Sequence, residues 1–388
     1  MVIFNMVGGG GQKKLKASVY GCQIAIDEPD PSTRVSYPAE IFGQPNGAAS
    51  IVTPAAGTGE TCLGDWAGCN LISGIHRELG NPTDGWTIVT DKRSAVVGDG
   101  ERDAMVYVPT WFFRMENDGT NITIGFSDTK IDGDWKDYAG SVGTNHLGHF
   151  RVGCYGGYTL SSKLYSRGSV KPTTSTIITD YIAYAKARGT GYDIMTWYQW
   201  TYLAALAVLL YKSTDLQTAM AMGYSKGNAV QTESPITYYN DYGMAGSSST
   251  TDQMAFFWIQ NMWGNMSQLV GGAKTDSSRR LMTCTGYSYT ADSYFDKISV
   301  SPKLNNNIGG RISKVVGTTD GGFFPTECSG SATTYFVDYG NVNSSRFPVM
   351  GGPYSSGDGV GIFYAAFQAD VSTTDRLTYI GSRLSYRL

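Results

Sequence analysis

The closing stretch GGPYSSGDGVGIFYAAFQADVSTTDRLTYIGSRLSYRL, residues 351–388, decides how the chain is read. Ile, Phe, Val and Leu recur through it at short intervals, as where a segment enters a β-rich core. Tyr, Ser, Gly, Asp and Thr stand between them. A strand buried on both faces has no use for so many polar residues, and a disordered tail would lack the apolar ones. The pattern predicts a division of labour. Gly351, Gly352, Gly361, Phe363, Ile380, Gly381, Arg383 and Leu384 form a frame that holds shape, and the interspersed residues face outward. Tyr, Ser, Gly and Asn are also favoured in antibody paratopes, where Tyr gives large amphipathic contact at small entropy cost and the small residues give adaptable hydrogen bonding.

The whole chain sets limits on that reading. Its 388 residues suffice for two or three domains with real cores. With 49 glycines, 26 tyrosines and only 16% charged residues, it favours loops and short strands over helix bundles. A net charge of −3 gives no electrostatic footprint for nucleic acid. No basic amphipathic segment offers itself to an anionic membrane surface. Cys22, Cys62, Cys69, Cys154, Cys284 and Cys328 are scattered without a CxxC pair and read as buried free thiols. The opening MVIFNMVGGGG has no basic n-region and too short an apolar run for a signal peptide, so synthesis in the cytosol is expected. Met195 to Tyr211, MTWYQWTYLAALAVLLY, falls short of the roughly 20 residues a span needs and is bracketed by Asp193 and Lys212. It reads as a helix buried on all sides, with no membrane insertion.

Working back along the chain, residues 1–103 are rich in Gly, Pro and Thr, with turn signals such as Gln44-Pro45-Asn46-Gly47, and predict a mostly β or irregular region. GGGGQKK, residues 8–14, lacks the GK[ST] ending of a phosphate loop and reads as a linker or docking arm. From Ala104, AMVYVPTWFFRM, the turn Asn117-Asp118-Gly119 and TNITIGF spell a hairpin. STIITDYIAYAKARG predicts a helix capped by Ser175 or Thr176, burying Ile178, Tyr181, Ile182 and Ala185 and stopping at Gly189. A buried helix from about Ile194 to Lys212 follows, then a short one with Asp215 near its start and Gly223 as its stop. The remainder is loop and short strand. The fold class expected is α+β.

Chemistry-bearing patterns are sparse. His146 and His149 in TNHLGHF have a spacing a metal could use, but no acidic or thiol partner stands nearby at helical spacing, so they read as structural. Asp128, Asp132, Asp134 and Asp137 lack the ligand alternation and distant Glu of a calcium loop and read as a solvated turn. There is no GxSxG elbow, and nothing singles out a carboxylate pair for glycoside hydrolysis. No cofactor is expected.

Three stretches, in order, resemble the formylglycine-generating-enzyme type of C-type lectin fold. GYDIMTWYQWTYLA (Gly191 to Ala204) resembles that family's G-[YF]-x-L-P-T-E-x-E-W-E-x-A helix entry, with Thr196 and Trp200 near the matching places. WGNMSQLVGG (Trp263 to Gly272) resembles its G-N-V-W-E-W turn, keeping Gly264 and Asn265. RFPVMGGPYSSG and IGSRLSYRL resemble its closing R-V-x-R-G-G-S-W and G-F-R-L. The oxidase members need two cysteines in the C-terminal part of the domain, and this chain has none beyond Cys328.

The closing segment more closely resembles the variable proteins of diversity-generating retroelements, ligand-binding C-type-lectin-fold proteins known as phage tropism determinants and as bacterial surface proteins. In that family template adenines are mutated, chiefly in AAC or AAT codons, which cannot yield Lys, Glu, Gln, Met or Trp. From Ser329 onward only Met350 and Gln368 lie outside the reachable set. The resemblance implies a C-type-lectin-like domain over 104–388, with 321–388 as its diversified ligand-binding segment, and a virion-attachment or oligomerisation region over 1–103. It implies a non-enzymatic receptor-binding protein of a phage tail, trimeric, set among other tail proteins and facing a host cell-surface protein or glycan. The contact positions it implies are Tyr335, Asp338, Tyr339, Asn341, Tyr354, Ser355, Ser356, Asp358, Gly359, Tyr364, Thr374, Arg376 and Tyr379. The alternatives are a non-diversified virion structural protein, an enzyme of the same fold, and a location on the bacterial surface.

Overall fold

In the computed structural model the described residues are 18–142, 145–284, 296–297, 309–369 and 376–388. A third of the chain is strand and about a tenth helix, so the fold is β-rich with few helices. Three sheets carry the architecture. A four-stranded sheet runs Val35–Ser36, Val19–Ala25, Asn121–Ser127, Phe112–Asn117. A six-stranded sheet runs Tyr192–Ile194, Leu384–Tyr386, His149–Gly153, Asp103–Pro109, His76–Asn81, Gly85–Ile88. The second six-stranded sheet is ordered Gly309–Arg311, Tyr339–Val342, Ala365–Ala369, Phe347–Met350, Ser267–Leu269, Ile380–Ser382.

The predicted hairpin forms between Phe112–Asn117 and Asn121–Ser127, where Asp118 Oδ1 accepts the N–H groups of Thr120 and Asn121 and closes the turn. The apolar run before it is not one strand: it breaks at Thr110 and Trp111, and its first half belongs to a different sheet. The expected division at 103/104 also fails, for two reasons. Residue 104 lies inside the strand Asp103–Pro109, and Val19–Ala25 pairs along its whole length with Asn121–Ser127. Strand pairing across that point makes Val19–Ala25, His76–Asn81 and Gly85–Ile88 part of the same sheets as strands beyond residue 104.

Helix α1 (Ile178–Lys186) buries Ile178, Tyr181, Ile182 and Ala185, as the spacing predicts. Its N-cap is Ile177 with no side-chain bond, because Ser175 is held at φ +60 and spends its N–H on Leu377 O. Helix α2 (Trp197–Tyr211) begins later than expected, since Tyr192–Ile194 is drawn into a sheet beside Leu384–Tyr386. Thr196 and Gln199 form a capping box, Lys212 ends the helix in the left-handed conformation, and all fifteen residues are buried. Helix α3 (Leu216–Ala219) is capped by Asp215. No helix among the described residues is long and apolar enough to cross a membrane.

Helix α2 is the pillar of the core. Tyr202 meets Phe126 of the four-stranded sheet edge-on at 5.2 Å, and Trp197 meets Phe367 of the second six-stranded sheet at 5.7 Å. Trp200 Nε1 donates to Ile362 O at 2.7 Å. The last strands thread two sheets in succession, Ile380–Ser382 in one and Leu384–Tyr386 in the other, with Arg383 at the joint. None of the six cysteines is joined in a disulfide. Four are buried and Cys284 and Cys328 partly so, as expected of structural thiols.

A tyrosine-rich sheet edge as the candidate ligand surface

Strand direction in the second six-stranded sheet gathers the site. Tyr339–Val342 runs parallel to Ala365–Ala369, and Ser267–Leu269 runs parallel to Ile380–Ser382. Phe347–Met350 is antiparallel to both Ala365–Ala369 and Ser267–Leu269. All four of the former strands therefore start at one edge, and Tyr339, Tyr364 and Tyr379 stand at or just before those starts. The antiparallel strands finish there, bringing Arg311 and the Gly351-Gly352 turn to the same edge. Tyr339 and Tyr364 have ring centroids 6.2 Å apart, and Tyr379 O accepts the N–H of Ser267 at 2.9 Å. Burial, with Tyr379 and Tyr339 close by, pushes the Tyr364 phenol up to about 12.

The frame residues behave as the closing stretch predicts. Gly351, Gly352, Gly361, Phe363, Ile380, Gly381, Arg383 and Leu384 are all buried. Gly361 sits at φ +149, and a Cβ there would collide with the Asp338 carboxylate. Arg383 is fully buried and donates to Gln268 Oε1, Gly153 O, Gln260 O and Asn261 O.

The candidate contact positions divide. Tyr339, Ser355, Asp358 and Arg376 are exposed, and Tyr354, Ser356 and Tyr379 are half-buried. Three belong instead to the frame. Asp338 is 2% exposed, its Oδ2 accepting Phe363 N–H at 2.8 Å and its Oδ1 Gln217 Nε2 at 3.0 Å. Burial pushes its carboxyl well above the ordinary range. Gly359 is buried against Tyr339 and Arg311, and Tyr364 is 6% exposed between its tyrosine neighbours. Alternation along the sequence could not separate these from their exposed neighbours, because turns set orientation here and not a regular period.

Two further positions lie apart from the edge. Tyr335 packs under Arg34, 5.3 Å from its ring, with its N–H on Pro29 O. Asn341 is two residues along its strand, opposite Gly309 and Ala366. Arg376 reaches toward Asp180 of α1 at 3.8 Å. Thr374 lies outside the described residues.

Several residues that hold the site were not legible as such. Arg311 clamps the 355–358 turn: Nη1 donates to Val337 O and Asp358 O, each at 2.6 Å, and Nη2 to Asp358 Oδ1 at 2.7 Å. Gln217 Nε2, from α3, donates to Asp338, to Asp358 O at 2.9 Å and to Val360 O. Gly264 and Asn265, present in the quoted motif, tie Tyr354 to the residues around Tyr224. Among the described residues no group of three or more His, Cys, Asp or Glu is disposed to hold a metal ion. His146 bonds Ser141 Oγ at 3.0 Å and His149 bonds Leu147 O.

No family model matches the chain, and no curated protein matches it. The solved structure titled "Structure of PvdO from Pseudomonas aeruginosa" aligns with 77% of this chain and 100% of its own at 14% identity and a TM-score of 0.32, a likeness too slight to carry an argument.

Proposed function

We propose that this chain is a non-enzymatic ligand-binding protein, the receptor-binding variable protein of a phage tail, with a C-type-lectin-like fold diversified near its C-terminus. One observation carries the reading. Tyr339, Tyr354, Ser355, Ser356, Asp358 and Tyr379 gather at one sheet edge, exposed or half-buried, while Gly351, Gly352, Gly359, Gly361 and Ile380 beside them are buried. A rigid sheet presenting exchangeable Tyr, Ser and Asp residues follows the logic of loops on a sandwich.

Three buried carboxylates, Asp338, Glu233 and Asp103, also favour binding over turnover. Such groups, pushed up by burial, mark chemistry in many enzymes. Here each is tied to structure: Asp338 as above, Glu233 to Gly156 N–H, Asn261 and Asn265, and Asp103 to Arg188 at 2.7 Å and Ser166 N–H. The ligand is a host-surface molecule. The particle carries the chain as a trimer among other tail proteins, so that several weak sites gain avidity.

Sequencing the coding locus tests the proposal. It requires a neighbouring reverse transcriptase and a near-copy of the 3′ end of the gene that differs mainly at adenines. An identical C-terminus in every isolate, with neither element present, would sink it in favour of a plain structural protein.

A further inference from the structure

Away from the tyrosine-rich edge, a cleft of about 240 Å³ lies where the turn end of the Phe112–Asn117 and Asn121–Ser127 hairpin meets the segment around Lys314. Its lining is unbalanced in charge. Arg34 and Lys314 border it, Ser313 and Thr326 add hydroxyls, and no Asp or Glu among the described residues lines it.

Arg34 is the unusual member. It is 2% exposed, and its Nε and Nη2 are spent on the backbone, donating to Ala25 O at 3.2 and 3.0 Å and, from Nη2, to Ile26 O at 3.1 Å. Nη1, with two hydrogens to donate, has no hydrogen-bond partner among the described residues. The ring faces of Phe336 and Tyr335, at 4.8 and 5.3 Å, offset part of the charge without accepting from Nη1. The acids whose charge reaches Arg34 are engaged elsewhere: Glu28 accepts Asp30 N–H, and the exposed Asp27 pairs with Lys314 Nζ at 3.2 Å. Arg77, almost as deeply buried, differs in spending both terminal nitrogens, on the carbonyls of Ser94, Asp91 and Lys92.

A buried charge is costly unless it is paired. Water can take the Nη1 hydrogens but leaves the charge unbalanced. We infer that this cleft binds a tetrahedral oxyanion, phosphate or sulfate, held by Arg34 and Lys314. Guanidinium and ammonium groups make their strongest hydrogen bonds to such ions. A tetrahedral ion also has oxygens enough for donors from Arg34, Lys314, Ser313 and Thr326, where a carboxylate has two. The cleft falls below the roughly 300–1,000 Å³ of sites for drug-sized ligands, which leaves room for an inorganic ion and none for a nucleotide or a sugar chain. One ion there ties the residue that precedes the strand Val35–Ser36 to the segment Gly309–Val315, whose first strand pairs with Tyr339–Val342. The inference is independent of the function proposed above.

Equilibrium dialysis of the full chain against radiolabelled phosphate, and separately sulfate, tests it at pH 7 with ionic strength held constant by chloride. One ion per chain is expected, saturating in the millimolar range or below, with acetate a poor competitor. Lys314→Gln should weaken binding fivefold or more while leaving the melting temperature of the ion-free protein unchanged, since its pair with Asp27 is exposed. Arg34→Met, checked for native circular dichroism, should abolish binding; if that variant does not fold, Lys314→Gln alone decides. Lys130→Gln, exposed beyond the far end of Asn121–Ser127, should change nothing. Binding of neither ion, or binding that survives Lys314→Gln at full strength, overturns the inference. Acetate competing as well as phosphate overturns the tetrahedral assignment.

Discussion

Replacing Arg383 by Met tests the frame on which the site depends. The guanidinium is fully buried and makes four hydrogen bonds of 2.7–3.2 Å, to Gln268 Oε1 and to the carbonyls of Gly153, Gln260 and Asn261. Methionine fills much of the same volume but donates nothing. A buried acceptor left unpaired costs about 1–3 kcal/mol. Burial raises the Glu233 carboxyl and the Arg383 charge opposes that rise, so the substitution also removes a cation that favours the charged form of a buried acid. These contributions overlap, because the Asn261 that receives Arg383 on its carbonyl donates its amide to Glu233. We expect a net loss of about 3–5 kcal/mol, a large share of the roughly 5–15 kcal/mol of an ordinary domain. Urea unfolding followed by circular dichroism, at pH 7 and constant salt, gives the midpoint and slope. Glu233→Gln supplies the second arm. With the acid neutral, removal of the cation leaves no orphan charge, so the double variant should be more stable than the sum of the single losses predicts by about 1–2 kcal/mol. A loss under about 1 kcal/mol for Arg383→Met, or strict additivity, would refute the reasoning.

Thr196→Ala removes half of the α2 capping box and should cost about 1 kcal/mol in the same urea assay, without a change in slope. Gly361→Ala forces a side chain into the Asp338 carboxylate at φ +149 and should cost well over about 1 kcal/mol, whereas Ser355→Tyr, on the exposed turn, should stay within about 0.5 kcal/mol. The bond to Glu78 at 3.3 Å holds His76 above the usual histidine value, so its charged form stabilises the fold below about pH 6.5 and that contribution fades as pH rises through the raised value. Burial, then Arg151, holds His149 below that value, so stability is lost there as pH falls. His76→Gln should therefore cost about 0.5–1 kcal/mol more at pH 5.5 than at pH 8.5, and His149→Gln should shift the other way; equal effects at both pH values would count against the assignment.

What the sequence disclosed and what it withheld follow from the range of the forces involved. Helix α1 and its buried face, the Thr196-to-Lys212 helix and the hairpin turn at Asp118 depend on residues within a few positions of one another, and all were legible. The place of Val19–Ala25 in a sheet was not, because it finds its partner a hundred positions away. At the site, the frame could be read from Gly351, Gly361 and Arg383. Asp338 could not be told from Asp358: one turns inward to Gln217 and Phe363 N–H, the other outward to Arg311, and only tertiary contacts decide between them. Arg311 carries no local signal at all, since what gives it a role is adjacency across the sheet edge.

That same adjacency explains why this edge, of all the surface, can bear change. Tyr339 at the start of its strand and Ser355 and Asp358 in the turn leave their side chains exposed, so substitution there costs little. Its neighbours have no such freedom. Gly351 at φ +82 and Gly352 at φ +75 cannot accept a side chain without strain, and Arg383 cannot lose its charge without stranding the acceptors around it. Tolerance at Tyr339, Ser355 and Asp358 and intolerance at Gly361 and Arg383 are thus two consequences of one geometry. The separation holds whatever process supplies the variation, and it lets side chains at this edge change while the fold beneath them does not.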